Sequence, residues 1–208
     1  MYDVGNIQRY KVDESGTTLE IHIPKLNLQD AIEDKHIRQI GLWVEDGRHI
    51  TALQRKKAYA TIADIAYFTG NTPEHEKEEM KFIYMQESGH KYFSLSDCSI
   101  DTARDYITFL LDFALKHGIA LTDLGINRTD DIGKYLYSCL KYKRCCICGK
   151  TADIHHTKTV GMGNNRRKID DSNYPKMALC RTHHTESHTI GQKAFEEKYH
   201  VYGILFNG

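Results

Sequence analysis

Three histidines and a cysteine fall within CRTHHTESH, Cys180 to His188, in a chain of 208 residues that carries twelve histidines and six cysteines. Upstream, CCICGK sets Cys145 and Cys148 at C-x-x-C spacing, and Cys180-x-x-His183 repeats that spacing with an imidazole in the last place. Two such pairs can fold together into a tetrahedral site of three thiolates and one imidazole, the donor set of a structural zinc. Gly149, just after the second thiolate, lets backbone N–H groups turn toward the sulfurs. Free thiols packed as small hydrophobes are the plainer alternative for the same residues. Cys146 breaks the C-x-x-C frame and is expected to pack rather than ligate, while Cys98 and Cys139 stand outside the cluster and receive no role.

A zinc held this way uses one histidine and leaves His155, His156, His184 and His188. His184 and His188 have the i, i+4 spacing that puts two imidazoles on one face of a helix. ADIHHTKTV reads as a strand, so His155 and His156 are expected to leave it on opposite faces. One can then bind a metal while the other takes a proton. Imidazoles from His155, His184 and His188 would leave coordination positions open, the mark of a catalytic rather than a structural ion. Two sites with two jobs are the expectation.

A strand with His-His, a basic loop, a second strand and a helix with H-x-x-x-H resembles the HNH nuclease family with its ββα-metal fold. The resemblance runs from Cys145 to about His188 and includes the zinc-knuckle elaboration. It implies that His155, His184 and His188 hold a catalytic divalent metal (Mg, Mn, Ni or Zn) and that His156 is the general base. It also implies a phosphodiester hydrolase whose products carry 5′-phosphate and 3′-hydroxyl ends. The family's middle asparagine falls at Pro175 here, so Asn173 is the nearest candidate and Asp171 an alternative. Histidine, with its near-neutral reference pKa, can accept a proton from water at physiological pH. All-imidazole ligation favours Mn, Ni or Zn over Mg by softness. In GMGNNRRK, between the two strands, Arg166, Arg167 and Lys168 could hold phosphates beside the cut, although an ordinary hairpin loop explains the glycines equally well.

These residues need elements to position them. QRYKVDESGTTLEIHIPKL predicts a β-hairpin turning at DESG, with Gly16 supplying a positive φ. LQDAIEDKHIRQIGLWVEDG predicts a short helix and then a strand ending at Asp46-Gly47. TALQRKKAYATIADIAYFTG predicts a helix with a Thr51/Gln54 capping box, a face of Leu53, Tyr59, Ile62 and Ala66, and a stop at Gly70. Thr72 and Pro73 open another helix, whose early acids suit the positive end of its dipole. The clearest periodicity is Ala103, Tyr106, Ile107, Leu110, Leu111 and Ala114, closed by Gly118 and read as core. TDDIGKYLYSCLKYKR predicts a further helix capped by Thr129. The fold class expected is α+β, divided into residues 1–128, a connecting helix over 129–143, and a zinc-stabilised ββα-metal domain over 144–208.

Residues 20 to 120, through ITALQRKKAYATIADIA, EEMKFIYM and FSLSDCSIDTARDYITFLLDFALKHGI, resemble the Orf (NinB) recombination proteins of lambdoid phages. Ala52-Leu53-Gln54-Arg55 stands where that family carries an SLxQN-like signature, with Arg55 replacing its asparagine. The resemblance implies a homodimer that binds single-stranded DNA and works with a single-strand-binding protein or a strand-exchange protein. Arg55, Lys56 and Lys57 then become candidate phosphate contacts, with a solvated helix face as the alternative. Trp43 and the tyrosines could stack on bases, though core packing serves for most of them.

The formal net charge is zero, so the overall field announces no nucleic-acid partner. Between Lys141 and Lys168, however, eight basic residues face only Asp153, and a local field is what acts through screening. No apolar run approaches the ~20 residues that span a bilayer, and MYDVGNIQRYKVDE lacks a signal peptide's apolar core. A bacterial cytoplasm, with a phage or prophage gene, is the expected setting, and reduced thiols there favour metal ligation over disulfides. The expected activity is a metal-dependent endonuclease of phage recombination, cutting single-stranded or branched DNA such as a D-loop, flap or Holliday junction. A non-catalytic zinc-containing single-stranded-DNA mediator is the alternative, and a homing or restriction-type enzyme ranks below it because nothing resembles a base-reading helix.

Overall fold

A computed structural model describes residues 5–24, 27–34, 36, 48–157 and 173–206. Two compact units divide the chain, Met1–Val44 and Glu45–Gly208. In the first, β1 (Asn6–Asp13) pairs antiparallel with β2 (Gly16–His22), and Gly16 takes the positive φ (136°) that the turn requires. A short helix, α1 (Gln29–Glu33), follows. The strand expected to end at Asp46-Gly47 lies outside the described residues, as does Trp43.

The second unit begins with three long helices, α2 (Ala52–Thr69), α3 (Pro73–Ser88) and α4 (Ile100–His117). Local chemistry sets their ends. Thr51 and Gln54 form a reciprocal capping box, Thr72 caps α3 ahead of Pro73, and Ser99 caps α4. Gly70, Gly89 and Gly118 end the three in the left-handed conformation. The expected face of α4 is buried in full. The expected face of α2 needs correction, because Leu53 (61% exposed) and Tyr59 (46%) point to solvent. Its buried stripe instead runs through Gln54, Ala58, Thr61, Ile62, Ile65 and Ala66, where small and polar side chains allow close packing.

Next come α5 (Gly125–Arg128), α6 (Ile132–Lys141), the antiparallel pair β3 (Asp153–His156) and β4 (Lys176–Leu179), α7 (Arg181–Ile190) and α8 (Gln192–Tyr199). Asp131, not Thr129, caps α6, its carboxylate accepting from the Lys134 N–H. Thr129 belongs to the turn before it, where its hydroxyl donates to Asp131 O and accepts from Asp131 N. The C-terminal segment extends the small sheet through paired backbone bonds between Lys176 and Ile204. The composition is mixed helix and small sheet, α+β. No described helix is long and apolar enough to cross a membrane.

The boundary drawn at residues 129–143 falls within the second unit, on α6. That helix packs against both α4 and β4. The buried apolar residues form a continuous cluster from Ile50 to Val201, so the helical part and the ββα part share a core.

A buried polar clamp ties α2 to the chain before α6. Arg128 and Asp64, both under a tenth exposed, lie 3.3 Å apart, and Arg128 also donates to Thr61 and Thr122. Removing one partner of such a pair leaves an uncompensated buried charge. Asp64→Ala is expected to cost about 3 kcal/mol, read as a lower urea midpoint with an unchanged slope. An unchanged midpoint would show that Arg128 is satisfied without Asp64.

Candidate functional site

Helix α6 delivers the chain into the CCICGK turn, whose backbone is held from several sides. Cys146 N–H donates to Ala178 O, Cys145 N–H to Lys150 O, and Gly149 N–H to Cys145 O. The buried Tyr135 hydroxyl donates to Cys146 O at 3.1 Å. Gly149 takes φ 69°, which closes the turn beneath Cys148. On the other side, Cys180 is the N-cap of α7, so His183 follows within that helix's first turn.

Ligand atoms of Cys145, Cys148, Cys180 and His183 all lie within 4.8 Å of one another. Cys148 Sγ is 3.6 Å from Cys180 Sγ, and His183 Nδ1 is 3.2 Å from Cys180 Sγ and 3.4 Å from Cys145 Sγ. Those separations fit the edges of a tetrahedron built on metal bonds of about 2.0–2.3 Å, so this Cys3His group could bind zinc. Burial alone would raise the Cys180 thiol, but N–H groups of His183 and Thr182 at the helix N-terminus and the sulfurs of Cys148 and Cys145 outweigh it and lower its pKa. Burial pushes Cys145 the other way, so taking up a metal there releases a proton. His183 is lowered by burial and then by Lys198 and Lys150, against Glu186, which favours the neutral ligand form. Cys146 is fully buried and outside this group, and Cys139 is buried as well.

A second group forms where α7 passes β3. Ligand atoms of His155, His184 and His188 also lie within 4.8 Å of one another. His184 Nε2 and His188 Nε2 are 3.3 Å apart across one helical turn, and the His155 ring centroid is 4.7 Å from that of His184 and 5.2 Å from that of His188. Exposure rises from His155, which is buried, through His184 to His188, which is open to solvent. One side of the cluster is therefore accessible. Burial lowers the His155 pKa most, with the His184, His188 and His156 rings adding to it against the Gln192 hydrogen bond. His184 is lowered by burial, then by His188 and Arg181. Neutral imidazoles are what a transition metal needs, and an all-nitrogen set suits Mn, Ni or Zn.

His156 is next along β3 and half-buried, with Tyr174 edge-on at 6.4 Å between ring centroids. Strand alternation sends it away from the His155 face. Asn173 is exposed in the turn before β4, directly ahead of Tyr174. Asp171, Arg166, Arg167 and Lys168 lie outside the described residues. Of the three basic residues early in α2, Lys56 is exposed and Arg55 half-buried. Lys57 is engaged within the fold, 2.5 Å from Asp130 and donating to Thr129 O, so its charge is neutralised there. That pairing argues against Lys57 as a phosphate contact.

Two further side chains belong to the histidine cluster. Gln192 Oε1 is 3.0 Å from His155 Nε2, and buried Ser187 donates to the same oxygen at 3.1 Å. Neither carries a motif. The spacing His184, His188, Gln192, Glu196 repeats every four residues, but Gly191 (φ 86°, ψ 149°) interrupts the helix between His188 and Gln192 and obscures the repeat.

A family model described as "Putative HNHc nuclease" matches residues 21–207. No curated protein and no solved structure shows a significant match to the chain.

Proposed function

The chain belongs to the HNHc nuclease family, and on that premise we propose a metal-dependent DNA endonuclease whose cutting centre is the His155, His184 and His188 cluster. The observation that carries this reading is that these imidazoles converge within 4.8 Å as a group distinct from the Cys3His group. A protein that needed metal only for stability would have no use for a second donor set with an exposed side. In this reading Cys145, Cys148, Cys180 and His183 hold zinc as a structural ion, and the three histidines hold a Mg, Mn, Ni or Zn ion.

When bound, the second ion supplies a Lewis acid for charge on the scissile phosphate and the departing 3′ oxygen. His156 takes the proton from the attacking water. Water oxygen bonds to phosphorus, the P–O3′ bond breaks, and the leaving oxygen takes a proton from solvent while His156 returns its own to solvent, giving 5′-phosphate and 3′-hydroxyl ends. His155, buried, and His184, half-buried, form the fixed side of the site, whereas His188 faces the side from which a backbone can approach. Asn173 is the proposed counterpart of the family's middle asparagine. Arg166, Arg167 and Lys168, with Arg55 and the exposed Lys56, are proposed to track phosphates.

The proposed substrate is single-stranded or branched DNA, and the proposed setting is phage or prophage recombination in the bacterial cytoplasm. The chain would act as a homodimer beside a single-strand-binding or strand-exchange protein. Support comes from the Orf-like pattern of residues 20 to 120, with 1–128 as the recognition part, 129–143 as the connecting helix and 144–208 as the nuclease. The test is cleavage of linear, flapped and four-way DNA by zinc-loaded protein with Mg, Mn, Ni or no added ion. Ion-dependent cutting that prefers flapped or four-way DNA is expected. Equal cutting of linear duplex would remove the branched-substrate reading, and no cutting with any ion would favour a zinc-bearing mediator.

A further inference from the structure

We propose that Gln192 is a positioning residue that fixes the tautomer of His155, and that Glu196 in turn aims the Gln192 amide. Its consequence for metal affinity rests on the metal reading of the histidine cluster, while its first readout requires no ion in that cluster.

Gln192 Oε1 lies 3.0 Å from His155 Nε2. The other end of the amide is committed, because Gln192 Nε2 donates to Glu196 Oε1 at 2.8 Å. An ionised carboxylate only accepts, so the amide nitrogen faces Glu196 and the carbonyl oxygen faces the imidazole. A carbonyl has no proton to give, so His155 Nε2 supplies the hydrogen of that contact; Ser187 Oγ also stands 3.5 Å from Nε2, but its one hydrogen goes to the nearer Gln192 oxygen. A neutral imidazole has a single N–H, which leaves Nδ1 with the lone pair for a metal. Ser187 (2% exposed) donates to the same Gln192 oxygen from α7, which holds the carbonyl in place from a second side.

Local backbone makes this possible. Gly191 occupies φ 86° and ψ 149°, a conformation essentially reserved for glycine, so α7 stops and α8 restarts with Gln192 as its first residue. Hydrogen-bonding a ligand histidine through its far nitrogen is how outer-shell groups orient a metal site. Here Gln192 and Glu196 come from α8, beyond the strand β3 and helix α7 that supply the ligands.

The test uses the full chain, zinc-loaded and labelled with 15N-histidine, at a pH above the ordinary histidine range. Ring nitrogen shifts should show His155 protonated at Nε2 in the wild type. Gln192→Leu, which removes the acceptor at similar volume, should give mixed tautomers and weaken nickel binding at the cluster by about 10–100-fold. Gln192→Glu keeps an acceptor and should retain the Nε2–H form. Glu196→Leu leaves Gln192 in place but frees its amide to turn, and should also mix the tautomers. A role in packing alone would move none of these signals. An Nδ1–H His155 in the wild type, nickel bound at Nε2, or one unchanged tautomer across all variants would overturn the proposal. The expected tautomer pattern in a chain that takes up no second ion would uphold the positioning role and count against the metal reading.

Discussion

Replacing His156 with alanine is expected to cut phosphodiester cleavage by about 10²–10⁴-fold, the usual contribution of a positioned general base. The expectation depends on separating His156 from its neighbour. His155 is buried among the other two imidazoles, whereas His156 is half-buried on the other side of β3 and outside the converging group. Its loss therefore removes no donor from either metal group. The strand stays fixed by its register against β4, where His155 pairs with Met177 and His156 with Lys176. Melting temperature and nickel affinity should hold while single-turnover cleavage falls. Cleavage at the wild-type rate would take His156 out of the reaction.

Cys148→Ala should act on the opposite property. A structural zinc in a small domain contributes about 10–16 kcal/mol of binding free energy that is also folding free energy, and loss of one ligand in four forfeits a large part of it. Cys148 is the informative position because it is exposed, whereas Cys145 and Cys180 are buried. Alanine at 145 or 180 would mix a packing defect with lost coordination, but alanine at 148 tests coordination almost alone. The shared core from Ile50 to Val201 implies that the damage spreads into the α2–α4 helices rather than staying local. The expected readout is loss of zinc together with a large fall in the melting temperature followed by helical circular dichroism. Wild-type melting with zinc retained would mean that Cys148 is not a zinc ligand.

Much of this was legible from residues because their signals are local. A capping box at Thr51 and Gln54, a proline after Thr72, and glycines at 70 and 118 mark helix ends through chemistry confined to one turn. The C-x-x-C and C-x-x-H pairs and the His184/His188 spacing likewise report which side chains can share an atom. What stayed hidden depends on distant partners. Leu53 matches a helical period yet faces solvent, because the neighbours packed on α2 select the stripe through Ala58 and Ile62. Lys57 reads as a surface cation until Asp130 is brought beside it from beyond α5. Gln192 looks like any polar residue, since its meaning comes from a glycine break that turns α8 back toward β3.

The most direct test is a calorimetric titration of nickel into zinc-loaded protein, compared with His184→Ala. The expected result is one further nickel ion per chain beyond the retained zinc, with only that second ion lost in the variant. A wild-type chain that takes up no second ion, or a second ion that binds His184→Ala equally well, would contradict a metal centre built on His155, His184 and His188.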